Sequence, residues 1–133
     1  MPEFNMLFHL PHFPTLFEIP DEWWEEAGME RSVHRPSAYL STDENAPLIA
    51  LREIVPPFRL PDTPKDFKGF DRQRMVRILK GIALNEPLPP IELQEISIFY
   101  VSCSYCVRDG LHRYYAAAAA GFDEIPALIV EHF

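Results

Sequence analysis

The stretch that most restricts this chain is Cys106-Val107-Arg108-Asp109-Gly110-Leu111-His112-Arg113-Tyr114-Tyr115, followed by five alanines and Gly121. Alanine is the best helix former, and glycine is preferred just past a helix end. The segment therefore reads as a helix that begins on Asp109-Gly110 and stops at Gly121. Tyr105 and Val107 ahead of it read as the end of a strand, and Ile125 to Val130 as a last strand behind it. The small alanine side chains let the helix backbone pack close to a sheet. A helix that starts on an Asp-Gly turn leaves its first backbone N–H groups unpaired, and the helix dipole adds partial positive charge there. With His112 and Arg113 in that first turn, the turn suits an anion, and a phosphate chain best of all. Asp109 has two roles open to it, capping the helix or holding a Mg2+ that arrives with phosphates.

Charge decides how such an anion would be met. The chain carries −8 at neutral pH, with 12 acidic against 5 basic residues over 1–66 but 8 against 7 over 67–133. An acidic chain repels duplex DNA at long range, which argues against nonspecific DNA binding. A phosphate ligand must then find a local basic patch. Lys68 to Lys80 is the densest one, with five basic residues and one acid. Met75, Ile78, Leu79 and Ile82 recur at helical spacing and predict a helix over 66–85 that buries them. Arg74, Arg77 and Gly81 fall on the opposite side, with Lys80 beside them. That side is either a solvated face or one wall of a phosphate site.

Elsewhere Pro47 to Val55 reads as a strand closed by Pro56-Pro57, and Ile91 to Ile96 alternates as a half-buried strand should. Phe99 to Val107 is its expected hairpin partner. Pro126 suits an edge strand or the first residues of a strand. Cys103 and Cys106 are the only cysteines, so no disulfide framework is implied and a cytoplasmic setting is expected. Their spacing has a redox or metal reading beside that of small buried apolar residues. Residues 1–45 look like an extension packed on a domain over 46–133. Phe4, Leu7, Phe8, Phe13, Leu16, Phe17 and Ile19 anchor it, Pro11, Pro14 and Pro20 rule out a long helix, and Pro20 to Ala27 forms a short one ended by Gly28. Trp23 and Trp24 are either core or an exposed pair for a protein partner. No apolar run is long enough to span a membrane, and the N-terminus has no basic region of the secretory kind.

Taken in order, the strand ending in Pro56-Pro57, the basic helix, Leu88-Pro89-Pro90-Ile91, Asp109-Gly110-Leu111-His112-Arg113 before an alanine-rich helix, and Gly121-Phe122-Asp123-Glu124-Ile125-Pro126 resemble the ParB/sulfiredoxin superfamily. The resemblance runs from about Leu48 to Val130. It implies an α/β fold of the α+β kind, a small mixed sheet with flanking helices. It also implies a nucleotide, ATP or CTP with Mg2+, whose polyphosphate is held at Gly110, Leu111, His112 and Arg113 with help from Arg74 and Arg77. Sulfiredoxins carry a catalytic Cys where this chain has Leu111, which removes the nucleophile and argues against that activity. The ParB proteins that bind CTP have a Glu at that same position, and no helix-turn-helix follows here. Free-serine kinases of the superfamily are similar at the turn, but their catalytic Glu corresponds to about Phe58; Asp62, Asp66 or Asp109 would have to replace it. Phosphoryl transfer or slow nucleotide hydrolysis with Asp109 as base or metal ligand is one reading. A non-catalytic protein-interaction module that keeps the fold is the other.

Overall fold

The computed structural model describes residues 5–10, 16–29, 37–57, 66–96 and 103–131; Phe4, Pro11, Phe13, Pro14, Phe58, Asp62 and Phe99 lie outside them. The chain opens with an antiparallel pair, β1 (Asn5–His9) and β2 (Leu16–Pro20). Alternation directs Phe17 and Ile19 into the core and leaves Leu16 outside. Pro20 turns the chain into α1 (Asp21–Glu26), whose first turn carries Asp21 and Glu22 where the helix dipole favours acids. Gly28, at φ +77°, lies just beyond it. Trp23 and Trp24 are 3% and 5% exposed. The exposed aromatic pair considered for a partner is thus replaced by two core indoles, because α1 lies against α2 and turns its apolar side inward. Trp23 meets Phe67 edge-on at 6.1 Å, and Phe17 meets Tyr115 at 4.9 Å, so this segment shares one core with the main sheet.

The architecture is α+β: among the described residues, three helices accompany that pair and a five-stranded mixed sheet. Pro47 to Val55, expected as one strand, is broken into β3 (Leu48–Ala50), a 3-10 turn (Leu51–Glu53) and β4 (Ile54–Val55). β3 pairs antiparallel with β7 (Glu124–Ile129), whereas β4 pairs parallel with β6 (Tyr105–Asp109). Between them β5 (Ile91–Glu95) runs parallel to β7 and antiparallel to β6, giving the order β3-β7-β5-β6-β4. In a flat sheet the two edge strands would stand ~19 Å apart. The link from Ala50 to Ile54 reaches at most ~14 Å, so the sheet is rolled until its edges approach. The Leu51 amide donates to the Asp123 carbonyl and the Ser104 amide to that of Glu53, both at 2.9 Å, which fixes the turn across that gap.

β7 is interior, so of the two places expected for Pro126 the edge is excluded and the first residues of a strand hold. The Ala127 amide donates to Pro47 on the β3 side, so position 126 faces β5. Pairing with β5 starts only at Ile91–Ala127, and the missing N–H therefore costs no ladder bond.

Two helices complete the frame. α2 (Arg72–Ala83) starts six residues later than expected. Phe67 and Phe70 exchange both backbone hydrogen bonds, at 3.1 and 2.7 Å, around Lys68 and Gly69 at φ +44° and +91°. Positive φ at both central residues defines a tight two-residue turn, which uses the residues a longer helix would need. Met75, Ile78, Leu79 and Ile82 are buried as the spacing predicted, each contributing ~1.5–3 kcal/mol by leaving water. Gly81 is also buried rather than beside the arginines, since a Cβ there would lie 3.0 Å from Leu88 Cδ2. α3 (Leu111–Ala120) ends at Gly121, φ +88°, with Ala116 and Ala117 fully buried.

Candidate functional site

The end of β6 departs from regular strand geometry. Glu92 pairs with Asp109 and Leu93 with Val107, so Arg108 is an extra residue opposite one step of β5. A bulge re-aims side chains. Here it lets the consecutive residues Val107, Arg108 and Asp109 all line the same cleft, which a strand alternating between faces would forbid. Arg108 also reaches Gln94, its Nη1 donating to Oε1 at 3.1 Å.

Gly110 follows at φ +117°, ψ +32°. An added Cβ would sit 2.5 Å from Ile91 Cγ2 and 2.8 Å from Ile91 Cβ, so both the backbone angle and the space demand glycine. Gly110 is the N-cap of α3, and no side chain caps this helix start. Asp109, expected to cap, instead places Oδ2 3.3 Å from Arg113 Nη2 and is 68% exposed. The positive φ of Gly110 turns the chain before the Asp109 side chain can reach the first amides.

Arg113 is 16% exposed, and it faces the protein more than the solvent. Its Nη1 donates to the Pro90 carbonyl at 2.9 Å and to that of Pro89 at 3.1 Å, while Nη2 meets Asp109. The Tyr39 hydroxyl donates to the same Pro89 carbonyl at 2.7 Å. Arg113, expected to hold phosphate, thus directs Nη1 to two prolyl carbonyls and Nη2 to Asp109. Burial raises the Tyr39 pKa, with Arg113 opposing in part.

His112 lines the cleft but packs and hydrogen-bonds within the protein, the second of the two places open to a histidine at this helix start. It is 8% exposed, its ring lies 5.7 Å from that of Phe70, and Nε2 accepts the Asp71 amide hydrogen at 2.9 Å. A nitrogen accepting a hydrogen bond carries no proton. Nε2 is therefore occupied as an acceptor and offers no proton to a ligand in the cleft.

α2 supplies the facing wall. Three amides at its start have side-chain acceptors: Arg72 N–H donates to Asp66 Oδ2 at 2.7 Å, Arg74 N–H to Asp71 Oδ2 at 2.8 Å and Asp71 N–H to His112 Nε2 at 2.9 Å. Lys68 pairs with Glu18, and Arg72 with Glu22 and Glu26, across to β2 and α1. Arg74 and Arg77 are exposed and line the cleft. The cleft holds about 850 Å³, and its lining residues run from Pro57 to Arg113. Of the residues singled out from the sequence, Arg74, Arg77, Asp109, Gly110, Leu111, His112 and Arg113 lie on it, whereas Lys80, Gly81 and Asp66 do not and Asp62 lies outside the described residues. Arg108 was missed, since nothing in the sequence marks the bulge. Leu88 and Ile78 add apolar wall beside the guanidinium groups.

Neither cysteine is among the lining residues. Cys103 is buried, its Sγ sits 3.5 Å from the Arg52 carbonyl, and burial raises its pKa and keeps it a thiol. Among the described residues no three His, Cys, Asp or Glu side chains gather to hold a metal, and no helix is long and apolar enough to cross a membrane. Comparison with protein-family models and with curated proteins finds no match for this chain.

Proposed function

We propose that this cleft binds the polyphosphate of a nucleotide of the ATP or CTP type. The reading rests on one observation. An uncapped helix start and three arginines, Arg74, Arg77 and Arg108, border one cleft in an otherwise acidic protein. Unpaired amides at a helix N-terminus and guanidinium groups are the donors that phosphate oxygens accept best. The volume admits a nucleoside triphosphate, and Leu88, Ile78 and Pro57 offer apolar surface for its base. Mg2+ would arrive on the phosphates, with Asp109 as the one carboxylate at the turn to meet it. The likeness to the ParB/sulfiredoxin superfamily points to the same ligand.

Binding is the function these groups support most directly. Asp109, the candidate base, is exposed and paired with Arg113 at 3.3 Å, an arrangement that leaves it open to water rather than enclosed with a substrate. Turnover of labelled ATP that disappears in Asp109→Asn would make the domain a phosphotransferase or NTPase.

The test of binding is thermal unfolding with ATP, CTP and pyrophosphate, each with and without Mg2+. A ligand at 100 times its Kd stabilises by ~2.7 kcal/mol, a shift of several degrees. The double variant Arg74→Ala/Arg77→Ala should unfold like the parent without ligand and lose most of the shift. A flat response of the parent to all three ligands defeats the proposal.

A further inference from the structure

We infer that His112 is a positioning residue: its unprotonated Nε2 docks the start of α2 onto the first turn of α3 and so holds Arg74 and Arg77 opposite the uncapped amides. The inference rests on the anion-site reading above and assigns how that site keeps its shape.

Three observations carry it. The Nε2 acceptor lies 2.9 Å from the Asp71 nitrogen, across 41 residues of sequence. The ring is buried and lies against Phe70, which follows directly on the Lys68-Gly69 turn. Asp71 is itself the N-cap of α2, its carboxylate holding the amide of Arg74, the first cleft arginine. One hydrogen bond thus joins the residue that starts α2 to the second residue of α3. Arg74 and Arg77 belong to α2, whereas the helix start without a side-chain cap belongs to α3. Their spacing depends on how the two helix starts meet, and no covalent link fixes it. A ligand bridging both sides feels any slip, since hydrogen bonds weaken steeply with distance and angle.

The distinction from a ligand contact is chemical. A residue touching phosphate must donate; a docking residue here must accept. His112→Gln keeps an acceptor at similar reach, and His112→Leu keeps the bulk without one. Pyrophosphate titration by calorimetry and hydrogen exchange at the Asp71 amide are measured on the parent and both variants. We expect His112→Leu to weaken pyrophosphate binding at least tenfold and to lose protection of the Asp71 amide. His112→Gln should retain that protection and bind within threefold of the parent.

Unchanged binding in His112→Leu overturns the inference. So does a protected Asp71 amide in His112→Gln together with the full loss of affinity, since the imidazole would then touch the ligand directly. If His112→Leu does not fold, the comparison of His112→Gln with the parent decides alone by the same criteria. A parent that binds no pyrophosphate yet protects the Asp71 amide overturns the anion-site reading and with it this role. An unprotected Asp71 amide in a parent that does bind overturns the docking bond by itself.

Discussion

Two helices begin at the same cleft and are finished in opposite ways. The start of α2 is closed by Asp66, Asp71 and His112, three acceptors spent on three amides. The start of α3 has a glycine cap and no side-chain acceptor, and the neighbouring carboxylate of Asp109 is drawn to Arg113 instead. Both helices have the same dipole physics, so the difference lies in their surroundings. α2 has three of its first amides met by side chains of its own chain. α3 starts on the same cleft with no side-chain cap among the described residues.

The largest effect expected on this contrast comes from Gly110→Ala. It forces an L-residue to φ +117° and drives a Cβ into Ile91, which should cost about 2–5 kcal/mol. At the other end of α3, Gly121→Ala meets nothing within 4 Å and should cost only the ~1–2 kcal/mol of the left-handed backbone. Urea unfolding of the two variants measures the gap, and equal losses would mean that the Ile91 contact is irrelevant. Next in size, Asp71→Ala removes a cap and should lower stability by about 1 kcal/mol. Unchanged urea stability would show that Asp66 and His112 close α2 without the Asp71 carboxylate.

The smallest effect concerns the buried side of α3. The Tyr114 hydroxyl is buried with no hydrogen-bond partner among the described residues, so Tyr114→Phe should leave stability unchanged or raise it by up to about 1 kcal/mol at neutral pH. Burial also raises the Tyr114 pKa in the folded protein. A group held neutral by the fold contributes stability that is present below its unfolded pKa, ~10 for tyrosine, and is lost as pH rises beyond it. Tyr114→Phe should therefore soften the alkaline fall in unfolding free energy, with Tyr39 keeping its own share. An unchanged slope above pH 10 would count against this.

Much of this arrangement is legible locally. The stop at Gly121, the start on Asp109-Gly110 and the inward row Met75, Ile78, Leu79 and Ile82 follow from propensity and spacing. The site was legible to the same depth, as a set of residue types at a helix start facing a basic helix. Hidden were the turn at Lys68-Gly69, which shortened α2, and the split of Pro47 to Val55, since an apolar run with no glycine gives no sign that its halves serve opposite edges of a rolled sheet. The roles of the charged residues were hidden further still.

The amino-acid order alone settled which segments coil, where they stop and which side turns inward, because those outcomes depend on neighbours within one or two turns. Folding in three dimensions settled what each polar group would do. Arg113 spends its donors on Pro89 and Pro90, His112 accepts from Asp71, and Arg108 is pushed out by a mismatch with β5. Each of these partners lies more than ten residues away along the chain. A hydrogen bond between such groups exists only once the sheet and both helices have brought them within about 3 Å.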